Sequence, residues 1–201
     1  MTPLQIADII GIISFALSGF LIAVHYKLDI LGIFISSFLT ALGGGIIRDT
    51  IANKTPYVFD ANLPIMLVIG TLIFSLVFKL HKITNFEGKM AFVISDAIGL
   101  SSFAITGSLI AIESDFNFLG VLMLAFLTAV GGGTLRDILI NKVPSILVSE
   151  FYGTVAIIVG IITYILHLFA QLNLFSLTLL FIFGVSLRLL AFYRKWNLPV
   201  L

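Results

Sequence analysis

The chain has 201 residues, 60% hydrophobic and 10% charged, with a formal net charge of +1 and a mean hydropathy of +1.19. A soluble domain is about 45–50% apolar and about 25% charged, so this composition excludes one and indicates an integral membrane protein. The near-zero net charge gives no footing for nucleic acid, and the absence of Cys removes disulfides and thiolate metal sites.

A helical span needs about 20 mostly apolar residues. Seven segments meet or approach this: 6–24, 30–52, 63–80, 91–112, 117–140, 147–168 and 173–192. Met1 to Asp8 carries no basic residue, so the first segment reads as a retained span rather than a signal peptide. The connections are short, and the longest polar run is His81 to Lys89. The expected architecture is a single all-α membrane domain.

The chain repeats itself. At an offset of 88, residues 8–56 match residues 96–144 at 24 of 49 positions without a gap. The first repeat is read over about 6–80 and the second over about 91–168, with an extra helix at about 173–192. Each repeat holds three spans. An odd number starts the second repeat from the opposite face, so the repeats are expected to be inverted. Counting basic residues sets the orientation. The face holding the N-terminus receives Arg48 and Lys54, and the other face receives the remaining nine of the 11 Lys and Arg. The positive-inside rule then puts the C-terminus in the cytoplasm and the N-terminus outside, in a bacterial-type inner membrane.

The most informative stretch is Gly43-Gly44-Gly45-Ile46-Ile47-Arg48-Asp49 in the second span. It returns as Gly131-Gly132-Gly133-Thr134-Leu135-Arg136-Asp137 in the fifth. Each glycine costs a helix interior about 1 kcal/mol against Ala, so the triplets are expected to break both helices near the bilayer midplane. Freed carbonyls would there replace part of a cation's hydration shell. Close helix packing is the competing explanation. Arg48 and Asp49, and equally Arg136 and Asp137, lie one turn beyond the glycines, where charge usually faces a partner or a wet path. Topology sets Asp8 near Arg48 and Asp96 near Arg136, so these residues are expected to form two polar gates. Ser14, Ser18, Ser102 and Thr106 lie on small-residue faces of the first and fourth spans and are secondary pore-lining candidates. Phe15, Phe38, Phe103 and Phe126 are candidates for an apolar collar. His25, His81 and His167 fall at span ends and read as interfacial residues. No cofactor, metal or catalytic constellation is expected, and the last span lacks the Lys that a retinal protein needs.

Two Gly-Gly-Gly-x-x-Arg-Asp copies in a 3+3+1 arrangement resemble the prokaryotic trimeric intracellular cation (TRIC) channels. The same sequences overlap a family labelled as glycine transporters. The resemblance covers nearly the whole chain. It implies a homotrimer with a pore in each protomer, kinks at the two glycine triplets, and monovalent cation conduction with potassium favoured over or comparable to sodium. Eukaryotic relatives carry a basic phosphoinositide motif, which Ile46-Ile47-Arg48-Asp49 lacks. The alternative is a secondary carrier for glycine or another small zwitterion, in which Arg48 or Arg136 would bind a carboxylate.

Overall fold

The structure, a computed structural model, describes residues 2–82, 86–148 and 151–196. Part of the polar run His81 to Lys89, and residues 149–150 of the sixth expected span, lie outside the described residues. Among the described residues nine α-helices follow in order: α1 (Pro3–His25), α2 (Ile30–Ile51), α3 (Tyr57–Asp60), α4 (Leu63–Val77), α5 (Phe86–Glu113), α6 (Phe118–Leu139), α7 (Ser145–Val148), α8 (Tyr152–Leu168) and α9 (Leu174–Arg194). No strand occurs among the described residues. Among the described residues five helices are long and apolar enough to cross a membrane (α1, α2, α5, α6 and α9), while α4 and α8 are shorter apolar helices. The four-residue helices α3 and α7 are not among the expected elements.

Caps explain the boundaries. The Asp29 side chain accepts from the Gly32 N–H at 2.7 Å, and Asn117, 88 residues on, accepts from Gly120 at 2.9 Å. Such a side-chain oxygen satisfies one of the N–H groups that the first turn leaves unpaired. At the other end, α2 and α6 stop at the same residue type. Asn53 and Asn141 both take φ of 55°, a left-handed conformation that Asn tolerates better than most side chains. The chain reverses there, and the Lys54 and Lys142 N–H groups close back on the Asp49 and Asp137 carbonyls.

Helices α1, α2, α5 and α6 form the centre. The first packs on α5 and α2, and α6 on α2 and α5. Helix α4 lies against α1 and α2, α8 against α5 and α6, and α9 against α5 and α8. At the heart of the bundle Phe15 and Phe103, again 88 apart, meet edge to face with centroids 5.1 Å apart and planes at 86°. Both are buried. Each ring sits over a glycine of the opposite helix: a Cβ on Gly11 would strike Phe103, and one on Gly99 would strike Phe15.

The expected breaks at the glycine triplets do not occur. Helices α2 and α6 run without interruption through Gly43-Gly44-Gly45 and Gly131-Gly132-Gly133, and no glycine among the described residues takes a positive φ. Two forces outweigh the propensity penalty. In an apolar interior an unpaired backbone group costs several kcal/mol, more than the ~1 kcal/mol a glycine costs a helix. The missing side chains also let the two helices touch. A Cβ on Gly44 would collide with the Thr128 carbonyl oxygen, and one on Gly132 with that of Thr40. The glycines are thus the contact point of α2 with α6, which is the packing role small residues play between membrane helices.

That contact is testable. Gly44→Ala and Gly132→Ala press on backbone that cannot yield, and each is expected to cost about 1–3 kcal/mol, the usual range for overpacking. Gly70→Ala in α4 meets nothing within 4 Å and is expected to be neutral or mildly stabilising. Thermal unfolding of the purified protein in detergent separates the two outcomes.

Candidate functional site: two buried ionic clusters

Asp8 is on the first turns of α1 and Arg48 on the last turn of α2. The antiparallel pairing of these helices brings them to one level. Arg48 Nη1 donates to Asp8 Oδ1 at 2.7 Å and to Thr106 Oγ1 at 3.0 Å, and its Nε donates to Asp49 Oδ1 at 2.7 Å. Asp49 accepts a further bond at Oδ2 from the Tyr57 main-chain N–H, at 3.0 Å. That N–H opens α3. The reversal at Asn53 and the Pro56 cap therefore serve to place a helix start against the second carboxylate oxygen, where a negative charge is favoured. Arg48 and Asp49 are only 3% and 4% exposed.

The second cluster repeats this with every residue moved by 88. Arg136 Nε donates to Asp137 Oδ1 at 2.9 Å. The Ser145 N–H, at the start of α7, and the Ser145 hydroxyl both donate to Asp137 Oδ2 at 2.8 Å. Ser18 takes the place of Thr106. The equivalence stops at the Asp–Arg contact. Arg136 Nη1 and Asp96 Oδ1 stand 3.9 Å apart, and the Ser18 hydroxyl bridges them, accepting from Arg136 at 3.2 Å and donating to Asp96 at 3.1 Å. Arg136 is also stacked over Phe92 at 5.3 Å.

Each cluster holds two carboxylates and one guanidinium. All six charged residues of the proposed gates are thus found in two sets of three, buried rather than snorkelling. Each arginine takes one hydroxyl from the other half of the chain. Of the secondary candidates, Ser18 and Thr106 belong to the clusters. Ser102 is buried, and its hydroxyl has no hydrogen-bond partner. Ser14 is only half-buried. Phe15 and Phe103 stand between the clusters, whereas Phe38 and Phe126 are half-buried at the edge of the core. A small pocket, with room for a water-sized guest, reaches the first cluster at Asp8, Arg48 and Asp49. Gly45, Tyr57 and Pro64 also line it.

Two further residues reach the second cluster that the motif reading did not select. Tyr152, at the start of α8, is buried beside Asp96 and Arg136. Arg188 of α9 lies over the Tyr152 ring at 5.0 Å and is itself buried. Neither has a like residue in the first half: position 64 is Pro, and α9 lies outside the repeat.

The model of the family described as "Glycine transporter" matches residues 5–80 and again residues 93–168. The two matches are offset by 88 at both ends (93 − 5 and 168 − 80). The chain belongs to that family. It is 35% identical over 198 residues to the UPF0126 membrane protein YvgT of Bacillus subtilis (strain 168), covering 97% of this chain and 95% of that one. It is similar to a solved prokaryotic TRIC channel crystallised in 0.5 M KCl, with a TM-score of 0.88, 34% identity, and 97% and 98% of the two chains covered. It is equally close in shape to the TRIC trimeric intracellular cation channel orthologue from Rhodobacter sphaeroides, with a TM-score of 0.88, 27% identity, and 97% and 100% covered. The resemblance read from the doubled glycine motif is thereby met: the glycine-transporter family and the TRIC channels share this chain's fold. The chain is a multi-pass membrane protein of that family.

The unequal Asp–Arg contacts lead to unequal responses. Ser18→Ala removes the hydroxyl that bridges Arg136 and Asp96 and is expected to cost about 1–3 kcal/mol, the penalty of leaving buried groups unpaired. Thr106→Val leaves the direct Asp8–Arg48 bond in place and is expected to cost less. Denaturation midpoints of the two variants in the same detergent check the order.

Proposed function

We propose that the protein is a monovalent cation channel, potassium-type, with a pore inside each protomer of a homotrimer. The observation that carries this reading is the pair of buried clusters, each with two carboxylates to one guanidinium, set on either side of the glycine contact between α2 and α6. The first cluster, with Asp8, Asp49 and Arg48 all ionised, sums to −1. Such a centre favours a cation over an anion in a low-dielectric surround. The similarity to solved cation channels over nearly the full length of the chain supports the same reading.

In this proposal α1, α2 and α4 form one three-span unit and α5, α6 and α8 its inverted copy, with α9 as a seventh span. The path runs from the Asp8 cluster, past the Gly43–Gly45 and Gly131–Gly133 contact, to the Asp96 cluster. Gly44 and Gly132 touch backbone across that contact, so conduction requires α2 and α6 to part there. The triplets suit this, because they hold the helices together by contact area alone and without a side chain to withdraw. Ser14, Ser18, Ser102 and Thr106 offer hydroxyls along the same route. The N-terminus lies outside, the C-terminus in the cytoplasm, and no covalent chemistry is involved.

A glycine carrier is the alternative, favoured by the family's description and by the small pocket at Asp8, Arg48 and Asp49. A carboxylate ligand there must displace one of the carboxylates that already hold Arg48.

Recording from the purified protein in a planar bilayer under asymmetric KCl is expected to give discrete steps whose reversal potential moves toward that of potassium. Asp8→Asn and Asp96→Asn are expected to lower the unitary current. Absence of steps, with saturable glycine uptake into liposomes and counterflow, would replace the channel with the carrier.

A further inference from the structure

We propose that Tyr152 is a stopper on the Asp96 side of the path, that Arg188 of α9 latches it, and that access to the two clusters is therefore one-sided. The inference adds to the channel reading a closure that the repeat does not contain.

The two clusters match residue by residue. Asp8, Gly45, Arg48, Asp49, Tyr57 and Thr106 correspond to Asp96, Gly133, Arg136, Asp137, Ser145 and Ser18 at an offset of 88 in one direction or the other. Most of these exchanges conserve the contact. Position 64 does not. Pro64 lines a pocket that reaches Asp8, Arg48 and Asp49. Its counterpart is Tyr152, whose phenol lies in the corresponding place. A Cβ on Gly133 would lie 3.6 Å from the Tyr152 hydroxyl and 3.7 Å from Arg136 Nη2, whereas the nearest atom to one on Gly45 is Arg48 Nη2 at 4.0 Å. Gly45 is accordingly half-buried and Gly133 buried.

The ring is held from outside the repeat. Arg188 lies over its face at 5.0 Å, a cation–π arrangement, and α9 packs on both α5 and α8. An aliphatic residue would fill the space as well. A phenol also sets a polar group beside Asp96 and Arg136, so no buried charge is left against hydrocarbon while the way is shut. A hydrated cation that reaches Asp96 from the α7 side must first displace this ring and its guanidinium cover. On the Tyr57 side a pocket lined by Tyr57 and Pro64 already reaches Asp8.

The chain has no Cys, so single cysteines report access directly. Gly45→Cys and Gly133→Cys are a matched pair, since a Cβ meets only ordinary contacts at both positions. Purified protein in detergent is treated with a small trimethylammonium methanethiosulfonate reagent, and modification is followed by intact mass. Gly45→Cys is expected to react at least about ten times faster than Gly133→Cys. Adding Tyr152→Ala is expected to raise the Gly133→Cys rate about tenfold or more while leaving the Gly45→Cys rate unchanged, which also reports an intact fold. Tyr152→Phe keeps the ring and is expected to keep position 133 slow. Arg188→Gln frees the ring and serves if Tyr152→Ala does not fold. Equal rates at positions 45 and 133 in the parent background overturn the proposal, as does a rate at 133 that neither Tyr152→Ala nor Arg188→Gln raises. The readout needs no current, so failure of the channel reading and failure of the stopper are distinguishable. If the channel reading holds, Tyr152→Ala is expected to increase the open fraction in bilayer recordings.

Discussion

A guanidinium cannot be left alone in an apolar interior, and the architecture answers that constraint twice. Burying a charge without partners costs several kcal/mol, a large share of a domain's net stability, so each buried arginine must bring its counter-charges with it. Arg48 is met by Asp8 from α1, Asp49 from its own helix and Thr106 from α5. Arg136 is met by Asp137, Ser18 and, through Ser18, Asp96. These demands fix which helices must be neighbours and at what height. They also explain the short helices α3 and α7, whose first N–H groups complete Asp49 and Asp137. The Asn-Lys-x-Pro segments that precede them are the turn chemistry that delivers those donors.

Much of this was legible in the chain. The spans at 6–24, 30–52, 91–112, 117–140 and 173–192 correspond to the five long apolar helices, because hydropathy over about 20 residues is a strong signal. The charged members of the clusters were legible for a different reason. Repeating Asp8, Arg48 and Asp49 at 96, 136 and 137 singles them out, and topology alone brings them together. Helices α3 and α7 were not legible, since four residues carry no periodicity. The glycine triplets were read through helix propensity, a quantity measured in water. Between hydrocarbon and a neighbouring helix, the backbone keeps its hydrogen bonds and the glycines act as contact area instead. Tyr152 and Arg188 escaped because the comparison of the repeats rewards identity. Position 152 differs from position 64, and Arg188 has no repeat partner. By sequence Arg188 reads as one more charge at the cytoplasmic face, whereas the packing of α9 turns it inward onto Tyr152.

The two clusters are therefore alike in their Asp and Arg residues and unlike in what lies beside them. The central aromatic pair, Phe15 on Phe103, is symmetric to the level of each ring resting on the other helix's glycine. The departures from symmetry lie farther out. They are a direct ion pair against a hydroxyl-bridged one, and an open pocket against a tyrosine. Where a repeat is used for something with a direction, those are the positions at which the direction is written.

The exchange of hydroxyls has a consequence for how the molecule is made. Arg48 needs Thr106, which lies 58 residues later, and Ser18 is finished only when Arg136 arrives 118 residues later. While α1 and α2 enter the bilayer ahead of the rest, Arg48 has its carboxylates but not its hydroxyl, and Ser18 has neither partner. Neither half completes its own polar interior. A first half alone in the bilayer would leave these polar groups unmet, and both arginines have their hydroxyl partners only once α5 and α6 are in place. The nascent chain is held to one partner, its own second half, by the groups the first half leaves open.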